Sequence, residues 1–249
     1  MVLLLLVDLD ADLAALRPLG GFFLLRTGAA PRSTLPTLAQ TYEDGKSDVY
    51  GNSMTFRIQK VSDLLSAPEP RVAASIAHQG LASRLWSAAL GCAVLYGRIP
   101  DLDARLVRWD ADGSAPDDLW LTEVRPLPGD AASLADAVLV GHLEPLAEAL
   151  GTRYRVAAGL LRGNAGSALA GAARQLAGWA RANGRPDAVA RTRALLAELL
   201  AHPALAGTLD AGTLRRRSCC LYYRVPGGGV CGDCCFTRTP RSSPGAASG

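Results

Sequence analysis

Five of the six cysteines of this chain lie in one C-terminal stretch, residues 215–235, which reads RRRSCCLYYRVPGGGVCGDCC. Two of them, Cys219 and Cys220, are adjacent, and a CxxC motif begins after ten intervening residues. The Pro-Gly-Gly-Gly run at 226–229 cannot hold a helix and turns readily. Because such a turn brings the two cysteine groups together, the segment offers four thiolates, the ligand set of a structural zinc or of an iron–sulfur cluster.

The spacing of these thiols favours a dinuclear cluster over zinc. The CxxC of Cys231 and Cys234 closes a small chelate ring, but zinc sites normally add a second CxxC or a histidine pair. The side chains of Cys219 and Cys220 would point to opposite sides of an extended chain, which suits two irons better than one tetrahedral zinc. We therefore predict a [2Fe-2S] cluster, with zinc as the alternative. Backbone N–H groups of the glycine loop would raise its reduction potential.

The rest of the chain has the composition of a globular scaffold. Of its 249 residues, 49% are hydrophobic and 20% are charged, which is enough to bury a core. We expect no signal peptide and no transmembrane segment, because the apolar run at 2–7 is short, has no basic residue before it and is followed by aspartates. A reducing compartment such as the cytoplasm would keep the thiols available for a metal.

Hydrophobic periodicity predicts an α+β fold that is predominantly α-helical. Helical patterns cover residues 6–16, 70–96 and 131–201, the last in three pieces that end near residues 150, 182 and 201. Two apolar runs around a turn-rich centre predict a small antiparallel β element at 104–124. The polar stretch at 27–52 has the pattern of a long loop.

We predict three parts along the chain. Residues 1–203 form the mainly helical domain with its small β element, 204–236 form the [2Fe-2S]-binding segment, and 237–249 form a disordered tail. The net charge of +3 is too small to indicate nucleic acid, yet the residues from 211 onward carry six arginines against one aspartate. These guanidinium groups would stabilise an anionic cluster and its reduced form. A basic patch for phosphate or for a membrane surface is the alternative.

Several residues on the helices are weaker candidates for function. A substrate pocket could be lined by His78, Arg84, His142 and Asn164, although an ordinary structural role is favoured for each. Cys92 has no second cysteine near it and is predicted to be a small buried hydrophobe. The second of the three helical pieces, predicted at 152–182, has small faces for the close approach of another helix or a ligand, made by Gly159, Gly163, Gly166 and Gly171.

The cysteine pattern, preceded by its arginine run, resembles the C-terminal [2Fe-2S] motif of the FhuF-like ferric siderophore reductases. Residues 81–102 and the Gly-Asn-Ala stretch at 163–171 are also similar to actinobacterial members of that family. Arg162 stands where the family usually has tryptophan, and Cys235 is an additional thiol. The resemblance implies that the cluster ligands are Cys219, Cys220, Cys231 and Cys234.

The resemblance implies a cytoplasmic oxidoreductase of iron acquisition. An external electron donor, a flavin reductase or a ferredoxin, would reduce the cluster, which would pass one electron to iron(III) held by a hydroxamate or catecholate siderophore. Those hard oxygen ligands bind iron(II) less well, so iron would be released. Candidates for stabilising the cluster or attracting an anionic ligand are Arg215, Arg216 and Arg217.

Two other functions remain open from the sequence. The first is a non-catalytic zinc or Fe–S module that binds metal or senses redox state without turnover. The second is a helical domain at about 70–200 that binds a carboxylate siderophore or its precursor without reducing it. Neither a nucleic acid partner nor a transmembrane segment is expected, and peripheral association with a membrane is left open.

Overall fold

The computed structural model describes residues 9, 13–28, 35–43 and 52–240. A π-helix at Ala135–Leu143 joins two of the α-helices, and 3-10 turns lie at Ala14–Leu19 and Tyr222–Arg224. Within the described ranges the α-helices are α1 Leu38–Tyr42, α2 Ser53–Leu65, α3 Pro70–Tyr96, α4 Ala131–Leu134, α5 Glu144–Tyr154, α6 Ala158–Ala182 and α7 Pro186–Ala201. The predicted, predominantly helical fold class is confirmed.

The 27-residue helix α3 is the central element of the fold. Its contacts are most extensive with α6, and it also packs against α2 and α7. A helix that is apolar on all sides is stable only when other elements surround it, and Trp86 near its middle is wholly buried. Pro70 suits the first turn, and Gly97 ends the helix with φ +71°. The helix predicted at 70–96 is confirmed.

In the residues that the structure describes, five short strands form two small sheets beside α3. The strands are β1 Arg26–Thr27, β2 Arg98–Pro100, β3 Val107–Trp109, β4 Leu119–Leu121 and β5 Pro126–Pro128. In the first sheet the order is β1-β4-β3, with β3 antiparallel and β1 parallel to β4, and β2 pairs antiparallel with β5 in the second. The predicted antiparallel pair is therefore present as β3 and β4, and the N-terminal strand turns that sheet into a mixed one.

A buried ion pair connects the first sheet to α3. Arg84 lies 2.9 Å from Asp118 between Nη2 and Oδ1, and its guanidinium also donates to the Leu24 carbonyl at 3.0 Å. Both charged side chains are almost fully buried. Because a buried charge needs a partner and further hydrogen bonds, Arg84 has a structural role here.

Three predicted elements differ in detail from the structure. The stretch at 27–52 contains α1, which begins with a capping box between Thr37 and Gln40, so a loop over the whole stretch was wrong. Residues 14–19 form a 3-10 turn rather than an α-helix, because Leu13 has a left-handed backbone and Pro18 lies inside the turn. The helix predicted to end near residue 150 continues to Tyr154.

The end of the predicted helix at 131–201 agrees with α7, and α6 runs through Gly163 without a break. Residues 2–7 and 241–249 lie outside the described ranges. Across the part of the chain that the structure describes, none of the helices combines the length and the apolar character that a membrane span needs.

Candidate functional site

The cysteine segment folds back on itself so that its two cysteine groups meet. The stretch before the turn, which contains Cys219 and Cys220, is called the first arm, and the stretch after it, which contains Cys231 and Cys234, is called the CxxC arm. The Arg216 N–H donates to the Asp233 carbonyl at 2.9 Å, which joins the two arms. At the turn, the Gly228 N–H donates to the Val225 carbonyl at 2.7 Å. A Cβ atom on Gly228 would lie 2.5 Å from the Tyr222 carbonyl oxygen, so this position requires glycine. The predicted turn is thus supplied by the glycine run.

The thiols approach one another around this turn. The Sγ atoms of Cys220 and Cys231 are 3.6 Å apart, close to the ~3.8 Å that separates two sulfurs bound tetrahedrally to one metal at ~2.3 Å. Cys219 contacts Cys220, and Cys234 contacts Cys235. All these cysteines are free thiols. Among the described residues, no three metal-binding side chains already lie together as a metal site, so the segment holds its thiols near one another without a closed ligand cage.

Backbone N–H groups point at two of the sulfurs. The Leu221 N–H donates to Cys219 Sγ at 3.3 Å, and the Phe236 N–H donates to Cys234 Sγ at 3.4 Å. Hydrogen bonds of this kind stabilise thiolates and raise the potential of an iron–sulfur centre. The donors come from residues after each cysteine and not from the glycine run, which was the predicted source.

The acidity of the thiols differs within the group. A hydrogen bond with the Cys219 thiol lowers the pKa of Cys220 to about 5, in opposition to burial, and the Arg216 charge acts in the same direction. Burial raises the pKa of Cys231 to about 12, and the charge of Cys220 adds to that effect. Cys220 therefore ionises more readily than Cys231, and thiolate is the form that binds a metal.

A buried polar network holds the first arm of the segment against the scaffold. Arg216, only 3% exposed, donates to Asn164 Oδ1 on α6 at 2.6 Å and to Gln79 Oε1 on α3 at 3.2 Å. Asn164 in turn donates to the Ser75 carbonyl at 3.0 Å, and the Ser75 hydroxyl donates to the Cys220 carbonyl at 2.8 Å. Helix α3 thus binds the backbone of Cys220 through Ser75, and α6 supports this contact through Asn164.

The CxxC arm is held by further contacts of Asp233 and Arg215. The Asp233 carboxylate lies 3.9 Å from Arg216 Nε and accepts from the Ser167 hydroxyl at 2.5 Å. The Arg215 guanidinium donates to the Cys234 carbonyl at 2.6 and 2.9 Å, and to the Phe236 carbonyl at 3.0 Å. The three consecutive arginines therefore have separate positions: Arg215 binds the last turn, Arg216 is buried in the network, and the Arg217 side chain is exposed.

The glycine face of α6 receives the linker and the start of the cysteine segment. A Cβ on Gly163 would lie 2.0 Å from Ser218 Oγ, and one on Gly166 would lie 2.5 Å from Thr208 Oγ1. At Gly159 and Gly171 no atom from outside the neighbouring helix backbone lies within 4 Å of the corresponding position in the described part of the chain. The predicted small face thus allows close approach, and its partner is the C-terminal segment rather than another helix.

This contact leads to a prediction for the glycines. We expect Gly163→Ala to destabilise the protein by about 1–3 kcal/mol, because the new methyl group overlaps Ser218. The matched change Gly171→Ala should stabilise it by about 0.5–1 kcal/mol, since a glycine inside a helix is replaced where space is open. Urea unfolding of the two variants tests this, and Ser218→Ala should reduce the cost of Gly163→Ala. Equal effects at the two glycines would contradict the close contact.

The four pocket candidates lie in different places. Asn164 belongs to the network beside the cysteines, and Arg84 belongs to the ion pair with Asp118. His142 lies between the Tyr42 hydroxyl at 2.8 Å and the Leu102 carbonyl at 2.6 Å, a structural position in which burial lowers its pKa to about 4. His78 borders a separate cavity. The structure therefore does not bring these residues into one pocket.

The sequence did not reveal three residues of the network. It did predict correctly that Cys92 lies in the core and away from the other cysteines. Ser75, Gln79 and Ser167 carry no motif that distinguishes them, and only Asn164 stood in a stretch that had been singled out. Cys92 is fully buried in the core, as predicted. The thiols of Cys219 and Cys220 interact with each other, and the chain bends at residues 217, 218 and 221 on either side of them.

Comparison with known proteins identifies the cysteine segment. Residues 216–236 match the FhuF 2Fe-2S C-terminal domain. The matched stretch starts at Arg216, includes all five clustered cysteines and ends at Phe236, so the FhuF-like resemblance and the [2Fe-2S] cofactor are confirmed for it. No curated protein matches the chain. The similarity of residues 81–102 and 163–171 to FhuF-like reductases stays a prediction.

The residues of this FhuF-type segment fit the cofactor. Two sulfurs already lie at the separation of ligands on one metal, two others accept backbone N–H groups, and one thiol ionises readily. The nearby guanidinium groups of Arg215 and Arg216 complement the negative charge of a four-thiolate cluster. Residues 216–236 accordingly form a 2Fe-2S segment of the FhuF type.

Proposed function

We propose that this protein is a ferric-siderophore reductase whose [2Fe-2S] cluster is held by Cys219, Cys220, Cys231 and Cys234. The observation that carries the proposal is the FhuF-type segment at 216–236, whose thiols meet at the surface of a rigid helical scaffold. When bound, the cluster supplies one-electron transfer. No general base is needed, so the work of the protein is to hold the thiols and to adjust their surroundings.

The spacing of two of the sulfurs supports their role as ligands. Cys220 and Cys231 are at the distance expected for two ligands of one metal. Cys234 is preferred to Cys235 because it completes the CxxC turn, in which its N–H donates to the Cys231 carbonyl at 3.0 Å. Cys235 stays a neighbouring thiol in this assignment.

Exposure and charge support exchange of electrons with outside molecules. Cys219, Cys231 and Cys235 are partly exposed, whereas Cys220 and Cys234 are buried. A cluster bound there would have one side toward the scaffold and one toward solvent. The exposed Arg217 and Arg238 lie on the same short segment and would attract an anionic ferric complex or an acidic electron-donor protein.

The proposed substrate is a ferric siderophore of the hydroxamate or catecholate type in the cytoplasm. Iron(III) accepts one electron and becomes iron(II), which those oxygen ligands bind more weakly, so the iron can leave. The electron comes from an external donor, a flavin reductase or a ferredoxin. Peripheral contact with a membrane is compatible with the basic segment but is not required.

Anaerobic mixing of the reduced protein with a ferric siderophore tests this function. We expect the visible absorption of the oxidised cluster to return with one equivalent of iron(II) formed per cluster oxidised, as followed with an iron(II) chelator. Buffer and the gallium complex of the same siderophore, which cannot be reduced, are the controls. Reoxidation no faster than with gallium would contradict the reductase and favour a non-catalytic or redox-sensing [2Fe-2S] module.

A further inference from the structure

A cavity of about 500 Å³ lies away from the cysteines, between α3, the π-helix, α5, α6 and the linker that follows α7. This volume lies in the range of small-molecule sites, which are mostly apolar with a few polar groups. Its apolar wall includes Leu139, Leu143, Ala147, Leu161, Ala165 and Leu205. Two of these leucines come from the π-helix, an irregular element that is frequent at functional sites.

One buried polar group in the wall has no partner. His78 is 1% exposed, and its Nδ1 atom has no hydrogen-bond partner in the described part of the chain. Burial, with a smaller effect of the Arg216 charge, lowers the pKa of His78 to about 3, so the ring is neutral. A buried polar atom without a partner is costly, and a neutral hydroxyl on a bound molecule would satisfy it.

The other polar groups of the cavity lie at its rim. Arg162 and Glu144 are exposed and His202 is half-buried, with its Nδ1 accepting from the Ala204 N–H at 3.3 Å. The guanidinium of Arg162 can pair with an anionic group, provided that this group approaches on the side away from Glu144. The wall thus offers a neutral polar atom inside, apolar side chains around it and a cation at the mouth.

We propose that this cavity binds a small aromatic hydroxy acid, with its hydroxyl group at His78, its ring between the leucines and its carboxylate at Arg162. The site is distinct from the cluster ligands, because the cavity wall includes none of the five clustered cysteines and none of Arg216, Asn164 and Gln79. The proposal therefore does not depend on the reductase activity.

Three matched probes test the site by isothermal titration calorimetry on the cluster-loaded protein. The first is 6-hydroxy-2-naphthoate, which has the hydroxyl and the carboxylate at opposite ends of an aromatic body. The second, 2-naphthoate, lacks the hydroxyl, and the third, 2-naphthol, lacks the carboxylate. We expect one molecule of the first probe to bind per chain, and each of the others to bind about three- to tenfold more weakly.

Replacing each of two alanines by phenylalanine shows whether binding occurs in this cavity. Ala147→Phe places a large side chain inside the cavity and should abolish binding of the first probe. Ala197→Phe is the matched control, because it places the same side chain in a separate groove of about 440 Å³ between α7 and the linker, and binding should be unchanged. Binding that survives Ala147→Phe, or that both variants weaken equally, would overturn the proposal, as would the absence of binding by all three probes.

Replacing two polar residues of the cavity, His78 and Arg162, tests the orientation of the ligand. His78→Phe should make 6-hydroxy-2-naphthoate and 2-naphthoate bind equally. Since this buried variant could fail to fold, the exposed Arg162→Gln provides a second test and should weaken 2-naphthoate about threefold while leaving 2-naphthol unchanged. A loss of 2-naphthol binding equal to that of 2-naphthoate would contradict the role of Arg162.

Discussion

Replacing Cys234 by serine is expected to abolish loading of the [2Fe-2S] cluster, whereas Cys235→Ser is expected to leave it intact. Cys234 is 3% exposed, accepts the Phe236 N–H at its sulfur and has its carbonyl fixed by Arg215. Cys235 is more exposed, and burial raises the pKa of its thiol. A cluster that loses one of four thiolate ligands is held too weakly to persist.

Iron and acid-labile sulfide per chain, measured after anaerobic purification, check this result. We expect near-complete loss in Cys234→Ser and about the wild-type content in Cys235→Ser. Circular dichroism in the far ultraviolet serves as the control that both variants fold. Loss of iron and sulfide only in Cys235→Ser would mean that Cys235 and not Cys234 is the ligand, while loss in both would indicate that the fifth thiol is needed for assembly.

Replacing Arg216 by leucine is expected to lower the free energy of unfolding by about 3–5 kcal/mol, because it leaves the other members of a buried charged network without their partner. Asn164 Oδ1 and Gln79 Oε1 would both lose a donor, and Asp233 would keep only the Ser167 hydroxyl. The cysteine segment would lose its attachment to α3 and α6 at the same time. We therefore expect faster loss of the cluster to a chelator.

The neighbouring arginine provides the matched control. Arg217 is exposed, and Arg217→Leu should change the free energy of unfolding by no more than about 0.5 kcal/mol. Urea unfolding under anaerobic conditions measures both variants. Adding Asp233→Asn to Arg216→Leu should recover part of the loss, because the unpaired carboxylate is then neutral. Similar costs for Arg216→Leu and Arg217→Leu would show that the buried network is unimportant.

The separate positions of the three arginines change how the basic C-terminal run is understood. As a sequence it is one cluster of positive charge, for which cluster stabilisation and anion attraction are equally suitable functions. In the structure Arg215 donates to a carbonyl group of the segment and Arg216 donates to the helical scaffold. Their main role is therefore to hold the segment in place, and the stabilisation of a negative charge is an additional effect. Among these three residues, Arg217 is the one whose exposed side chain suits an outside partner.

The sequence by itself determined the cofactor segment and the main helices. Cysteine spacing and the glycine run are local patterns, and the periodicity of 70–96 and 186–201 follows directly from the 3.6-residue turn of the helices that form there. Only the tertiary structure decided what holds the segment in place, because Ser75 and Cys220 are 145 positions apart and a short polar side chain carries no sign of so distant a partner. The same reason applies to Gly163, whose small size was visible in the sequence while Ser218, the group that needs the space, was not.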